Sequence, residues 1–289
     1  MNDKIFSIII PTYNENIKTI KLLDSLKINI NNLKKFTLEK IYIVASGKTD
    51  KLKKYCKESA LPIKLLIEKR RHGKAHAINL GLRELKEEYI ILMSGDIILA
   101  DDTIKKLLEK INDENIGAVT GRPIPNTQNE NFVDYFVNLI WKLHNIISKE
   151  EPKAGEILAF KNVFARIPED TAADEEFIKA ILLDKGYSTS YARNAKIYNE
   201  GPKNISDLFE QRRRIFIGHL DLEKRMKYDV PTTNNSIILK SICEYLKREG
   251  LEFYLFAAIV FEFLSRIKGF FDYFILKRNP YKWKRVSQI

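Results

Sequence analysis

The first pattern in the chain is an unbroken apolar run at residues 5–11 that ends in Pro11. A run of that kind predicts a strand buried on both faces. Behind Asn14-Glu15-Asn16, which reads as a helix cap and first turn, apolar residues recur at Ile17, Ile20, Leu23 and Leu26. That spacing marks one face of a helix. The cycle then repeats, with strands at residues 41–45, 63–67 and 89–93 and helices at 49–59, 73–86 and 101–112. Strands alternating with helices predict an α/β fold, Rossmann-like, with a mostly parallel sheet flanked by helices. Ligands of such sheets bind outside the carboxyl ends of the strands, which is where the polar segments fall.

After about residue 120 the alternation weakens. Residues 131–148 read as one helix carrying Trp141 and His144, and 156–160 and 189–192 as short strands around a polar segment at 169–176. From about Pro231 the pattern is helical and strongly apolar, which predicts a division into residues 1–228 and a C-terminal segment of amphipathic helices, 229–289.

Composition narrows the function. Forty-nine Lys and Arg against 38 Asp and Glu give +11, which favours an anionic partner: nucleic acid, an acidic membrane surface or a phosphorylated substrate. Cys56 and Cys243 are the two cysteines, so a disulfide scaffold or Cys-based zinc site is excluded, and a reducing compartment is expected. His72, His76, His144 and His219 show no metal-ligand spacing. The start of the chain runs straight into the first strand, without a secretory signal, and no uncharged apolar stretch reaches the roughly 18 residues of a membrane span. A cytoplasmic protein is the expectation.

Six segments carry polar groups that suit chemistry: IIIPTYNE (8–15), VASGKTD (44–50), RRHGKAHAINLG (70–81), MSGDIIL (93–99), TAADEEF (171–177) and FEQRRRIFIGHL (209–220). Glycine and a cation at a helix start, Gly73-Lys74, suit a site beside a diphosphate, and Ala75, Ala77 and Gly81 let that helix approach the sheet closely. The four-residue spacer of a P-loop is absent. Asp101 and Asp102 read as caps of the next helix. Asp174 to Glu176, taken alone, reads as a solvated acidic helix start.

In this order the segments resemble the inverting family 2 glycosyltransferases, whose nucleotide-sugar domain has the GT-A fold, over residues 6–220. The resemblance implies transfer of a sugar from a nucleoside-diphosphate sugar, UDP more than GDP, to an acceptor hydroxyl. It places Pro11, Tyr13, Glu15 and Ser46 at the donor and Lys74 beside the diphosphate. Ser94, Gly95 and Asp96 stand where the family has Asp-x-Asp, so Asp96 is the implied ligand of Mg²⁺ or Mn²⁺. Counting back from Gly186-Tyr187 makes Glu175 or Asp174 the implied catalytic base. Gln211, Arg213 and Arg214 match the Gln-x-x-Arg of membrane-associated members and are implied at the diphosphate or acceptor. Ala45, Ser46, Ser94 and Ile215 replace two acids, a third acid and a tryptophan of the pattern. These departures keep open a glycosyltransferase-like binding protein without catalysis.

The C-terminal segment extends the picture. On a helical wheel Glu262, Ser265, Arg266, Lys268, Gly269 and Asp272 share one side, and Phe263, Ile267, Phe270, Phe271 and Phe274 the other. Lys277, Arg278, Lys282, Lys284 and Arg285 then surround Tyr281 and Trp283. Aromatics among cations beside an apolar face predict peripheral contact with anionic lipid, on the inner face of the cell membrane. The alternative is a helix packed on the catalytic domain with a solvated basic tail. A lipid-linked glycan is the expected acceptor, with a polyprenyl phosphate as the alternative. Arg212 to Arg214 lack the fold or aromatic platform of a nucleic-acid binder, so nucleic acid is not an expected partner.

Overall fold

The computed structural model describes residues 4–31, 33–128, 130–250, 253–279 and 281. Lys282, Trp283, Lys284 and Arg285, part of the expected lipid-binding tail, lie outside them. Strands β1 (Lys4–Tyr13), β2 (Phe36–Ser46), β3 (Ile63–Glu68) and β4 (Tyr89–Met93) alternate with helices α1 (Asn16–Asn31), α2 (Asp50–Glu58) and α3 (Lys74–Leu82). There follow β5 (Ile98–Leu99), α4 (Thr103–Ile111), β6 (Ile116–Pro125), α5 (Phe132–Ile147), β7 (Ile157–Lys161), α6 (Asp174–Asp184) and β8 (Ser188–Asn199). Three long helices, α7 (Ile205–Met226), α8 (Asn235–Glu249) and α9 (Phe253–Phe270), and a π-helical turn at Phe271–Ile275 close the described chain.

The eight strands form one sheet in the order β3-β2-β1-β4-β7-β6-β8-β5. The first four are parallel, as their apolar runs predict, but β7 pairs antiparallel with both β4 and β6, and β5 antiparallel with β8. The sheet is therefore mixed, with four of its seven strand pairings parallel, in keeping with the mostly parallel expectation. β7 follows α5 and enters the sheet between β4 and β6, running against both. The register has a functional consequence. Met93 faces Ile157, so the amino end of β7 meets the carboxyl end of β4. Pro125 faces Asn199, where β6 and β8 run parallel and end together. One edge of the sheet thus gathers the ends of β1, β2, β3, β4 and β8 and the start of β7.

Helices cover both faces. One core joins Ile8, Ile10, Ile43 and Ile91 of the sheet to Leu22, Leu23 and Leu26 of α1 and Leu107 and Leu108 of α4. The other joins Ile9, Ile90 and Leu92 to Ala75 and Ile78 of α3 and Ile178 and Leu182 of α6. A separate cluster unites Val133 and Phe136 of α5 with Leu208 of α7, Tyr245 of α8 and Leu255 and Ala258 of α9. The C-terminal helices are thereby packed onto the α/β unit. No helix among the described residues is long and apolar enough to cross a membrane.

Gly81 shows how close the α3 approach is: a Cβ there would stand 2.9 Å from Ile9 Cγ2, and Ile9 is wholly buried. Gly81→Val is expected to cost about 1–3 kcal/mol of stability through overpacking, measured as the shift in urea-unfolding midpoint.

Candidate active site

The loops at the strand ends hold one another. Asn14 takes a left-handed conformation (φ 56°), and its Oδ1 accepts a hydrogen bond from the Lys48 amide at 2.7 Å. It is thus a strap between the β1 and β2 loops rather than the cap of α1. Gly47 (φ 81°) admits this strap, since a Cβ there would lie 2.1 Å from Asn14 Oδ1. Thr19 Oγ1 of α1 donates to the Gly95 carbonyl at 3.0 Å and contacts Thr12 Oγ1 at 2.9 Å, which fixes the Ser94-Gly95-Asp96 loop against β1. The Arg71 guanidinium lies over the Tyr13 ring, 4.2 Å from its centroid. Asp102 occupies the cap position of α4 but in left-handed geometry, with no side-chain cap hydrogen bond.

These loops open on a cavity of about 590 Å³. Pro11, Tyr13, Glu15, Ser46, Lys74, Ser94, Gly95, Asp96, Asp174, Glu175, Gln211 and Arg214 all line it. Arg213 does not. Successive helical residues turn by about 100°, and the three consecutive arginines of α7 go three ways. Arg212 makes a two-pronged pair with Glu262 of α9, Nε at 2.8 Å and Nη2 at 3.0 Å. Arg213 pairs with Glu210 and Asp272. Arg214 faces the cavity beside the charges of Asp174 and Glu156, and burial draws its pKa down to about 10, so it stays cationic near neutrality.

Lys74, the first residue of α3, reaches the first turn of α6. Its Nζ donates to Glu175 Oε1 at 2.5 Å and lies 3.2 Å from Asp174 Oδ2. Burial opposes the Lys74 charge, but Asp174, Glu175 and Glu156 outweigh it and hold its pKa above the ordinary value. Burial, and then the Glu175 charge, push the Asp174 carboxyl up, against the pull of Lys74. Asp174 and Glu176 are buried, so this helix start is not a solvated one. Glu176 Oε1 accepts the Ala154 amide at 2.9 Å, and Oε2 stands 3.3 Å from Lys179 Nζ. An electropositive cavity wall and a paired set of carboxylates are the parts a single-displacement transfer requires.

Two further groups were not legible in the motifs. Glu156 precedes β7 in a left-handed conformation (φ 56°), and its backbone carbonyl accepts the Ser94 amide at 2.9 Å. Burial, then the Asp96 charge, push its carboxyl up to about 7. Asn199, at the end of β8, donates to Glu156 Oε1 at 3.3 Å, and its own buried Oδ1 has no hydrogen-bond partner among the described residues. Asp96, Glu156 and Asn199 all border the cavity, and their side chains offer oxygen ligands. Hard divalent cations such as Mg²⁺ and Mn²⁺ take such ligands and share their shell with phosphates. The residues present therefore fit the cation that Asp96 implies.

The same cavity continues to an apolar end. Phe136, Ile140 and Trp141 of α5, Ile238 and Ile242 of α8 and Ile259 of α9 line it. Lys153, His144 and His219 also face it. Burial lowers the pKa of Lys153, with Arg212 and Lys179 adding to the effect and Glu176 opposing it. Burial takes His144 down to about 3 and His219 well below its ordinary value. His72 and His76 are elsewhere: together with Glu68 they bring ligand atoms within 4.8 Å of one another, which overturns the expectation that the histidines form no metal-ligand group.

With this geometry the chain meets its relatives. It belongs to glycosyl transferase family 2, whose model matches residues 7–164, more than half of the sequence. The fold is the GT-A type of α/β fold. A poly-beta-1,6-N-acetyl-D-glucosamine synthase of Staphylococcus aureus strain COL is 24% identical over 156 residues, 49% of this chain and 37% of that protein. The chain thus spans little more than a third of the length of that curated relative. An uncharacterised protein of Methanocaldococcus jannaschii is 26% identical over 211 residues, 69% of this chain and 84% of its own. Among solved structures, mannosyltransferase PcManGT of Pyrobaculum calidifontis, in complex with GDP-Man and Mn²⁺, shares the fold with a TM-score of 0.67 and 19% identity, covering 92% of this chain and 87% of its own. Glucosyl-3-phosphoglycerate synthase of Mycobacterium tuberculosis, with Mn²⁺, UDP and phosphoglyceric acid, gives 0.51 at 14% identity, covering 75% and 78%.

Two outcomes are expected from these electrostatics. Lys74→Met leaves Asp174 and Glu175 without their shared cation and should destabilise the fold by about 1–3 kcal/mol, while Lys74→Arg, which keeps the charge, should avoid most of that loss; differential scanning calorimetry reads both. His144 is neutral when folded, so its contribution to stability is complete above about pH 6.5 and is lost as pH falls toward about 3. Urea midpoints should decline over that window, and His144→Leu should flatten the decline.

Proposed function

We propose that the protein transfers a sugar, with inversion, from a nucleoside-diphosphate sugar to a lipid-linked acceptor. The observation that carries this reading is a single cavity lined at one end by Asp96, Glu156 and Lys74 and at the other by apolar side chains of α5, α8 and α9. In this mechanism the donor lies along the strand ends with its diphosphate near Asp96 and Arg214. A divalent cation held by Asp96, Glu156 and Asn199 would offset charge on the departing diphosphate. Asp174 or Glu175 accepts the proton of the acceptor hydroxyl as its oxygen attacks the anomeric carbon, and the bond to the diphosphate breaks on the opposite face. Arg214 stays charged throughout and faces the leaving group.

The neighbours solved with GDP-Man or UDP support a sugar nucleotide as donor, and both bases belong in the donor panel. A specific observation favours a phosphate on the acceptor: Lys153 brings an ammonium, and His219 a neutral imidazole, to the wall shared with the apolar end. A polyprenyl phosphate would use them directly, with its phosphate oxygen as nucleophile and little call on a base.

The outer face of α9 supports the membrane reading. Its polar side packs on α7: Ser265 is fully buried, Gly269 abuts Phe216 and the Arg213 carbonyl, and Asp272 pairs with Arg213 and Lys268. Its apolar side faces outward, with Phe253 92% and Phe256 77% exposed, and Phe263, Phe270 and Phe274 beside them. Contiguous apolar surface of this kind marks a membrane or protein contact, and Lys277 and Arg278 follow it in sequence.

A donor panel of UDP- and GDP-sugars with nucleotide release as readout tests the activity. Asp96→Ala, and Asp174→Asn or Glu175→Gln, whichever is the base, should lower the rate by about 10²–10⁴-fold. No release with any donor, or full activity in Asp96→Ala, would refute the mechanism; binding without release, seen by calorimetry, would favour a non-catalytic binder. Phe256→Ser combined with Phe263→Ser should abolish flotation with anionic liposomes while donor hydrolysis persists, and unchanged flotation counts against the membrane contact.

A further inference from the structure

Beside the donor cavity, and apart from the oxygen ligands at Asp96, lies a cluster of different chemistry. Glu68 ends β3, His72 sits in the loop that follows, and His76 is in the first turn of α3. Glu68 Oε1 lies 3.3 Å from His72 Nδ1 and 3.6 Å from His76 Nε2. Ligand atoms around a tetrahedral zinc, each about 2.0–2.1 Å from the ion, stand about 3.3–3.4 Å apart. The two edges that run from Glu68 are therefore already close to those of a tetrahedral site, and the third, between the two histidines, is within 4.8 Å. The Glu68 carboxylate is 5% exposed and His72 is 48% exposed, so the site has a buried anion on one side and open access on the other.

A second observation concerns the orientation of His76. Its Nδ1 is 3.0 Å from Glu169 Oε2, on the far side of the ring from Glu68. A ring nitrogen that donates to a carboxylate while the other nitrogen binds metal is the usual second-shell arrangement of a ligating histidine. With the proton on Nδ1, a neutral His76 turns the Nε2 lone pair toward the Glu68 carboxylate, acceptor against acceptor. A shared cation relieves that conflict, and a doubly protonated ring is the rival solution.

We propose that Glu68, His72 and His76 form a binding site for a borderline-soft divalent cation of the Zn²⁺ class, with Glu169 as the residue that orients His76 and water in the fourth position. Two imidazoles and one carboxylate suit zinc, and Mg²⁺ or Mn²⁺ prefer the oxygen set at Asp96. The ion would clamp the loop between β3 and α3. That loop carries Arg71, which lies on Tyr13, and leads into Lys74, which holds Asp174 and Glu175. The site thus fixes the donor-side loop without touching the transferred sugar.

Cobalt supplies the test, because Co²⁺ in such a site shows visible d–d absorption. Full-length protein freed of metal with a chelator is titrated with Co²⁺ alone, then with Zn²⁺ as competitor. The expected result is one equivalent of a coloured complex that Zn²⁺ displaces and that Asp96→Asn leaves intact. His72→Ala, at a half-exposed position, should lose the absorption while the circular dichroism spectrum is unchanged, and Glu169→Gln should weaken binding about tenfold. Absence of the bands in the parent protein, bands that survive in His72→Ala combined with His76→Ala, or bands lost in Asp96→Asn would overturn the assignment in favour of a plain imidazolium–carboxylate cluster.

Discussion

The organising constraint in this protein is the burial of charges of both signs around one cavity, where acids and cations face one another. Lys74 against Asp174 and Glu175 is the central case. Taking such ions out of water costs several kcal/mol each, and the cost is recovered only with close partners and good geometry. The partners here are far apart in sequence. Lys74 opens α3 on one side of the donor loops, and the two acids open α6 some hundred residues later. The fold therefore closes this contact only when the sheet edge and both helices are in place. Glu176 repeats the logic one position on, since it holds the Ala154 amide and Lys179 and thereby sets the segment that leads into Glu156.

The same constraint explains why α9 is inverted relative to an ordinary surface helix. Its cavity-side and α7-side positions, continued into the π-helical turn, must answer Arg212 and Arg213, so α9 carries Glu262 and the turn Asp272. Burial opposes the Glu262 charge, but Arg212 and Arg266 outweigh it and hold the carboxyl down at about 2. With the polar face consumed by these pairs, the phenylalanines have only the outward side. Both readings of this helix thus meet in one arrangement: it packs on the catalytic unit, and it does so with the face that would otherwise meet water. The charge arithmetic shifts accordingly. Arg212 and Arg213 are answered by carboxylates of their own, and of that triplet Arg212 and Arg214 border the cavity.

Much of this was legible in the sequence, and what was not has physical causes. The buried strands at β1 and β4 stand out because parallel strands covered on both faces are continuous apolar runs. β6 escapes that reading because Gly117, Gly121, Pro123 and Pro125 break its pattern, although its residues pair along both edges. α6 hides behind its acidic first turn, which resembles solvent-exposed sequence until Lys74 is seen against it. Most of the motif residues lie at the strand ends because loops there converge whatever the register of the rest. Glu156 and Asn199 could not be found that way: they reach the same edge only through the antiparallel return of β7 and the parallel pairing of β8 with β6. The Asn-Glu-Gly-Pro turn after β8 was the available signal, a polar turn at a strand's carboxyl end. Arg213 shows the converse, since a linear motif does not reveal which of three neighbouring side chains a helix turns away.

The departures from the family pattern take on a physical meaning once the loops are seen together. Ala45 and Ser46 remove the carboxylates expected at the end of β2, and both residues are buried there. Beside them the Asn14 strap crosses to Lys48, and Tyr13 carries Arg71 on its ring. The cavity is consequently without a carboxylate at Ala45 and Ser46 and bears the Arg71 guanidinium in the loop after β3. A carboxylate recognises the donor groups of a base or ribose, whereas a guanidinium held against an aromatic ring offers acceptors a planar set of N–H groups. Substituting Ser94 for an acid acts in the same direction, but there Glu156 restores a carboxylate from the antiparallel strand. Acids lost at one strand end and returned from another leave the cavity lined by oxygens at Asp96 and Glu156 and by the Arg71 guanidinium beyond β3; under the proposed function the first would meet the diphosphate through a cation, and the second the acceptor groups of the base.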